Sequence, residues 1–366
     1  MTAQVASMGS SLGRRALRSR WIGPLLVMLS VATLMALTTD RFLHPRNLAN
    51  VSLQMAIVAI VAIGATIVIL TAQIDLSSGS LVALVTVLTA GVIKNVGLPV
   101  PTALALMLLL GALLGLVNGF FSTYGRIPPF IFTLGTLSIF RGLAFLYTGG
   151  TPIFSVSPQL NRVFYARLPL LEIPMPFVYV LVLYSGAALY LRSTKGGRQI
   201  YAVGGNAAAA RLSGINVNRV RTKAFVIAGV TGALGGILMT ARLDSGSPNY
   251  AQGMELMAIA AAVIGGASLF GGTGSVAGTL FGAMTIVIVQ NGLNLHGVAA
   301  AWQSISLGAI IAAAVAVDMW RSELGSVPRR LAAGLRGRAR PGAGPAETRD
   351  AAGPAGDPDS LVTKER

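Results

Sequence analysis

The sequence predicts an all-α polytopic membrane protein with about ten transmembrane helices. Hydrophobic residues make up 54% of the chain and charged residues only 11%, whereas about a quarter of the residues in soluble domains are charged. Apolar runs of about 20 residues recur, and each is long enough to span a bilayer as a helix. Most Lys and Arg residues fall in three clusters, which is the pattern that orients membrane helices. Topology therefore explains the net charge of +16 better than a nucleic-acid surface does.

The apolar segments follow one another with short polar connections, and proline opens several of them. Pro99, Pro128 and Pro174 stand at predicted helix starts, where the missing N–H of proline costs nothing. The third segment is the least regular, and a broken or re-entrant helix is the alternative there. The predicted spans are residues 21–39, 51–71, 76–93, 99–123, 128–147, 174–191, 224–240, 255–270, 276–293 and 299–317.

The three basic clusters set the orientation and the domain boundaries. Residues 1–20 are a basic N-terminus, and 21–318 are the transmembrane domain. Residues 192–223 are a loop with seven basic residues and no acidic one. Six spans before this loop and four after it place all three clusters in the cytoplasm. Residues 319–366, rich in Pro, Gly, Ala and Arg, are expected to form a disordered cytoplasmic tail.

Glycine at four-residue spacing indicates close helix packing in two of the spans. Such spacing leaves a flat groove in which another helix backbone can lie. The stretch 265–274 has five glycines in ten residues, so a regular helix is not expected there. We interpret it as a tight turn with a gating role rather than as a hinge between helices. The two glycine series are Gly111, Gly115 and Gly119, and Gly274, Gly278 and Gly282.

Charged residues within or beside the spans are few, and each is a functional candidate because charge is costly in hydrocarbon. They are Asp75, Arg141 and Glu255. Asp75 and Glu255 also suit helix ends, and Arg141 is long enough to extend toward the membrane interface. Amide and hydroxyl residues are more plentiful, which suits a neutral polar solute better than an ion.

The residues required for several kinds of metal, nucleotide and catalytic site are absent from the sequence. The chain has no cysteine and only two histidines, so no thiolate metal site is expected. No phosphate-binding G-x-x-x-x-G-K-[ST] loop and no H-E-x-x-H motif occur. The sequence also shows no pairing of a nucleophile with a base that would suggest an integral-membrane enzyme. Uphill transport would therefore draw its energy from a partner or from an ion gradient.

Five segments resemble a known family, the permease subunits of bacterial ABC importers for monosaccharides of the ribose, xylose and arabinose type. Together they extend over most of residues 45–318. The matching segments are ILTAQIDLSSGSLVAL (69–84), RIPPFIFTLGTLSIFRGLA (126–144), GGNAAAARLSGINV (204–217), DSGSPNYAQGMELMAIAAAVIGGASLFGGTGSVAGTLFGA (244–283) and QNGLNLHG (290–297).

The resemblance implies an ABC importer permease fold, a location in the bacterial inner membrane and several partners. A second permease copy would pair with this chain, cytoplasmic ATP-binding subunits would drive it, and a periplasmic sugar-binding protein would deliver the solute. ATP and Mg²⁺ would bind on the ATPase, so this chain itself would be no enzyme and hold no cofactor. The loops around Pro152 and at 244–252 would receive the binding protein.

The resemblance also assigns a coupling segment and a solute path. Residues of the ATPase-coupling motif are Ala209, Ala210, Arg211 and Gly214. The family commonly has Glu just ahead of the paired alanines, whereas Ala207 and Ala208 stand here, so Arg211 would carry more of the contact. The candidate path-lining residues are Asp75, Asn118, Thr133, Asn291, Asn294 and Gln303.

The leading interpretation is a permease for a pentose or hexose. A permease of the same fold for nucleosides, branched-chain amino acids or an autoinducer sugar is the alternative within this class. An ion-coupled secondary transporter is the alternative from a different class. The scarcity of intramembrane acids and the coupling-like loop count against that transporter.

Overall fold

The computed structural model describes residues 21–166 and 174–338, and side chains up to residue 319. The predicted N-terminal segment 1–20 and the part of the predicted tail from 339 to 366 lie outside the described residues. The helices are α1 (Ile22–Thr38), α2 (Pro45–Leu70), α3 (Ser78–Ala90, continued by a π-helical turn Gly91–Asn95), α4 (Val100–Thr123), α5 (Pro129–Thr148), α6 (Pro158–Tyr165), α7 (Met175–Ser193), α8 (Lys195–Gly205), α9 (Ala207–Leu212), α10 (Val217–Leu243), α11 (Met254–Ile264), α12 (Val276–Leu295) and α13 (Ala300–Arg338).

The described residues contain eight helices long and apolar enough to cross a membrane and two shorter apolar helices, α1 and α11. These ten helices lie at the positions of the ten predicted spans. Helix α11 ends at Ile264 rather than at the predicted residue 270. Gly265 and Gly266 follow at once, and glycine is a poor helix former because it loses the most backbone entropy on ordering.

Helix starts follow the local signals of the sequence. Pro45 and Pro129 occupy the first position of α2 and α5, where proline is well tolerated. At α12 the Ser275 hydroxyl accepts a hydrogen bond from the Gly278 amide, and at α10 the Asn216 side chain accepts one from the Arg219 amide. Each cap satisfies a backbone N–H that has no partner within its helix.

Helix α2 is the centre of the fold. Of its most apolar 18 residues, 89% are buried, compared with none in α13. Helices α7, α10, α11 and α12 pack around it. Tyr184 of α7 donates a hydrogen bond to the Ala59 carbonyl, and Thr66 bonds Thr279 of α12 between hydroxyl groups. Helix α2 is thus enclosed by the helices that pack around it.

Glycines place helix backbones in direct contact. A Cβ on Gly111 would lie 2.5 Å from the Gly229 carbonyl oxygen, and Cβ atoms on Gly115 and Gly119 would overlap the α10 backbone at Phe225 and Thr222. The α4 glycines therefore let α4 lie against α10. In the second series, Gly278 and Gly282 face Gly265 and Ala261, which brings α12 against α11 and the turn after it.

Residues 265–274 form a compact turn, as the sequence predicts. Gly271 and Gly272 have positive φ angles of 85° and 71°, which glycine adopts without strain. The Gly272 amide donates to the carbonyl of Leu70 at the end of α2 over 3.0 Å. Asp318 of α13 accepts hydrogen bonds from the Ser268 hydroxyl and the Leu269 amide. The turn thus connects the end of α11 to the start of α12, and it contacts the end of α2 and Asp318 within α13.

The last helix is longer than expected. Helix α13 continues to Arg338, whereas the sequence predicts a span ending at 317 and a tail from 319. Contacts within the chain separate two units, Met1–Trp320 and Arg321–Arg366, and the boundary falls close to the predicted end of the transmembrane domain. The apolar window of α13 ends at Met319, and the residues beyond it are rich in arginine.

A short hairpin joins two distant loops. Strands β1 (Ile153–Phe154) and β2 (Ser245–Gly246) pair antiparallel, with Ile153 opposite Gly246. The carboxylate of Asp244 accepts hydrogen bonds from the Val156 and Ser157 amides, both at 3.0 Å. The two loops that the resemblance assigns to a binding protein therefore lie side by side.

Replacing Gly278 by Ala should destabilise the protein by about 1–3 kcal/mol, because the added methyl group overpacks a backbone contact. The control is Gly186→Ala in α7, where a Cβ meets no heavy atom within 4 Å and alanine is expected to be neutral or slightly stabilising. Thermal unfolding of both variants in one detergent measures the difference. Equal midpoints would contradict a close contact at Gly278.

Candidate functional site

Polar side chains converge on the irregular segment 71–77 between α2 and α3. The Asp75 carboxylate accepts hydrogen bonds from the Ser77 amide (2.9 Å) and the Ser77 hydroxyl (2.7 Å). The Asn118 amide of α4 donates to the same Ser77 hydroxyl over 2.8 Å. All three side chains are buried. The sequence-predicted pair Asp75 and Asn118 is therefore joined through Ser77, whose role the sequence pattern did not reveal.

Thr133 of α5 holds the same segment from another side. Its hydroxyl accepts a hydrogen bond from the Leu76 amide (3.1 Å) and donates to the Pro129 carbonyl (2.8 Å). The side chain is fully buried. A backbone amide outside a helix needs such a partner at membrane depth, so Thr133 supports the break between α2 and α3.

Three polar atoms beside this segment are buried and have no hydrogen-bond partner among the described residues. They are Asn118 Oδ1, Ser78 Oγ and Glu255 Oε2. A buried polar atom costs free energy until it is paired. These atoms are suited to bind water or the hydroxyl groups of a neutral polar molecule, and they form the candidate binding cluster with Asp75 and Ser77.

The three charged residues found in the sequence belong to this neighbourhood. Arg141 attracts Glu255 electrostatically, and Asp75 repels it. The Glu255 carboxylate lies against Gly79 at the start of α3, where any Cβ would overlap it. The sequence suggests that Arg141 extends toward the interface, whereas its guanidinium donates to the carbonyls of Pro248 and Tyr250. Arg141 thus anchors α5 to the stretch between β2 and α11.

The other three predicted path residues lie at the opposite end of α2. Asn291 forms a reciprocal amide pair with Asn47, at 2.9 and 2.8 Å, and Gln303 donates to Asn294 over 2.8 Å. Asn47 lies in the first turn of α2, whose 26 residues span about 39 Å. Within one chain the six residues therefore form two separate groups.

The predicted coupling residues lie on the short helix α9 and the turn after it. Asn206 caps α9 by accepting a hydrogen bond from the Ala209 amide at 2.9 Å. Ala210 is buried, while Ala209 and Arg211 are exposed. Gly214 has a φ of +77°, which an L-residue adopts only with strain, and it ends the helix.

Leu212 is the residue of this segment that the sequence reasoning missed. Its side chain is 91% exposed, next to the exposed Ala208 and Ala209. Single exposed apolar side chains are common on protein surfaces, so Leu212 is a candidate partner contact only because it lies on the segment to which the resemblance assigns coupling. The sequence feature that could have pointed to Leu212 is that it is the one large apolar residue between Arg211 and Gly214.

Comparison with known proteins assigns the sequence to a family. Residues 47–315 match the family model "Branched-chain amino acid transport system / permease component". The match extends over more than half of the chain. The chain belongs to this permease family. The predicted resemblance to binding-protein-dependent permeases is therefore confirmed.

The permease is similar to sugar permeases over nearly its whole length. It is 40% identical to the ribose import permease protein RbsC of Bacillus subtilis (strain 168), covering 82% of this chain and 93% of the relative. Identity to RbsC of Escherichia coli (strain K12) is 39%, covering 87% and 99%. Identity to the xylose transport system permease protein XylH of Escherichia coli (strain K12) is 33%, covering 86% and 95%. No solved structure matches the permease.

Replacing Arg141 by Met should destabilise the permease, because the carbonyls of Pro248 and Tyr250 lose their charged donor. Each buried acceptor left unpaired costs about 1–3 kcal/mol. The control is Arg41→Met at an exposed site. Thermal unfolding in detergent reports stability, and proteolysis of residues 247–253 reports whether the segment is released. Unchanged stability and protection would show that Arg141 does not anchor it.

Proposed function

We propose that this chain is the membrane permease subunit of an ATP-driven importer for a monosaccharide, a pentose or a hexose. The observation that carries the proposal is the similarity to ribose and xylose permeases over 93–99% of their length. The polar cluster around Asp75 agrees with a neutral, hydroxyl-rich solute, because it offers unpaired hydrogen-bonding atoms and few charges.

Branched-chain amino acids are the second candidate solute, because the matched family description names them. A zwitterionic amino acid needs paired charges for its ammonium and carboxylate groups. Arg141 is already bonded to two carbonyls, which leaves the cluster with acidic groups but no uncommitted arginine. This balance favours the sugar.

The proposed coupling runs from α9 to the polar cluster through short contacts. Gly204 of α8 lies against the Leu70 carbonyl and the Gly272 amide, and Tyr201 donates to the Gly274 carbonyl over 3.2 Å. Leu70 directly precedes the segment 71–77. Force applied to α9 by an ATPase would therefore reach the end of α2 and the turn 265–274 without crossing a flexible linker, which supports the gating role proposed for that turn.

The proposal includes the partners and the orientation. Cytoplasmic ATP-binding subunits would carry ATP and Mg²⁺ and dock at α9, and a periplasmic sugar-binding protein would dock at the paired loops of β1 and β2. A second copy of the permease would complete the channel in the inner membrane. The basic loop 192–223 supports a cytoplasmic location of α9, and an even number of crossings on either side of it would keep both termini there.

Uptake of labelled sugar tests the function directly. The permease is expressed, with the subunits that co-purify with it from its native membranes, in a bacterial host that lacks ribose and xylose permeases. We expect uptake of a labelled pentose or hexose that stops when ATP is depleted and persists when an ionophore collapses the ion gradients. Uptake of labelled leucine instead would favour the amino-acid permease, and ionophore-sensitive uptake a secondary transporter.

Changes in α9 test the coupling segment. Arg211→Glu should remove the ATP-binding subunits during purification and abolish ATP-dependent uptake, because it reverses the charge at the proposed contact. Leu212→Ala should weaken the association about tenfold or more, as truncation of an interface anchor does. Arg41→Glu, an exposed site at the other end of α2, is the control. Normal association of both α9 variants would exclude α9 as the docking site.

A further inference from the structure

A basic pocket opens beside the coupling segment and is separate from the polar cluster described above. Its volume is about 790 Å³, within the roughly 300–1,000 Å³ of small-molecule sites. The end of α4, the turn between α4 and α5, Arg211 of α9, the start of α10 and Gln73 of the segment 71–77 form its walls, and none of the five residues of the polar cluster lines it. Nothing in the proposed transport of a sugar requires it, because the sugar carries no charge.

Three arginines from three different segments line this pocket. Arg126 belongs to the turn before α5, Arg211 to α9 and Arg221 to the first turns of α10. No acidic residue is among the described residues that line it. Arg211 and Arg221 are close enough to repel each other. Converging like charges without a counter-charge are destabilising unless an anion binds between them.

Unpaired donors line the same pocket. The Nε atom of Arg221 is buried and has no hydrogen-bond partner among the described residues, and the same holds for the hydroxyl of Ser122, a side chain only 8% exposed. The first residues of α10, Asn216 to Asn218, also face the pocket. The start of a helix carries partial positive charge and free amides. These groups all suit an oxyanion with several acceptor oxygens.

Exposed aromatic side chains stand next to the lining residues of α4 and α5 in the sequence. Phe120, Phe121 and Tyr124 at the end of α4 and Phe130 at the start of α5 are each 42–54% exposed. Aromatic side chains gather at the level of the lipid headgroups. These ends of α4 and α5 are therefore expected at the level of the lipid headgroups.

We propose that this pocket binds a phosphate group, supplied by an anionic phospholipid of the leaflet next to α9. The phosphate would lie between Arg126, Arg211 and Arg221, and the acyl chains would extend along the exposed aromatic side chains of α4 and α5. Basic pockets between membrane helices bind lipid headgroups in this way. Because Arg211 also belongs to the proposed coupling segment, the bound lipid would fix the position of α9 relative to α10.

Lipid titration of the delipidated full-length chain in detergent tests the proposal. Phosphatidylglycerol, phosphatidylcholine with the same acyl chains, and inorganic phosphate are added separately at constant ionic strength, and thermal unfolding is followed. We expect phosphatidylglycerol to raise the unfolding midpoint at far lower concentration than phosphatidylcholine. Arg221→Gln should weaken the apparent affinity for phosphatidylglycerol about tenfold.

Arg126→Asn is the second variant, because Arg126 is exposed in a left-handed turn with φ of +57° and asparagine tolerates this conformation. It should weaken binding about fivefold without disturbing the fold, and Arg41→Asn should not. Stabilisation by inorganic phosphate equal to that by the lipid would assign the pocket to a soluble phosphate. Equal lipid binding by wild type, Arg126→Asn and Arg221→Gln, or no anion-dependent stabilisation, would overturn the proposal.

Discussion

Non-helical backbone at membrane depth must find its hydrogen bonds inside the protein, and much of this structure serves that requirement. The irregular stretch 71–77 separates α2 from α3, and a second irregular stretch, 247–253, lies in the connection between the spans α10 and α11. Thr133 and Asp75 pair amides of the first stretch, and Arg141 pairs carbonyls of the second. Polar side chains of α4, α5 and α11 thereby meet around the start of α3. Asp75 and Thr133, which hold this irregular backbone, are also proposed path residues, so the proposed solute contact would depend on the same hydrogen bonds as stability.

The sequence predicted the helices well because each leaves a local signal. Apolar length, proline at helix starts and glycine-rich turns located all ten apolar helices, with errors at the ends of α11 and α13. Burial was not predictable, since α2 and the first 20 residues of α13 (Ala300–Met319) are both apolar, although most of α2 is buried and that part of α13 is not. In a membrane, a side chain that faces lipid and one that faces protein have similar polarity. Glycine spacing in α4 and α12 was the exception, because close backbone contact requires that residue.

The candidate site was predictable only in part. Asp75, Asn118 and Thr133 were identified by type, and the fold brings them together. The hydrogen bonds from Asn118 to Ser77 and from Arg141 to Pro248 depend on tertiary contacts that no local pattern encodes. Asn291, Asn294 and Gln303 share the same chemistry and lie at the other end of α2. Residue type alone does not determine which polar side chains contact one another in the fold. The coupling role of α9 stays a prediction, which rests on the uninterrupted basic loop and on the resemblance of its motif. The exposure of Leu212 is visible only in the structure.

Positive charge has two separate uses in this chain. The basic loop 192–223 agrees with the rule that orients membrane proteins, and that rule needs only that the charges lie on one side. It does not require Arg126, Arg211 and Arg221, from three different segments, to meet in one pocket with no acidic neighbour among the described lining residues. Exposed arginines that served topology alone would separate to reduce their repulsion and stay hydrated. Their convergence around buried, unpaired donors is best explained if the charges are neutralised by a bound anion.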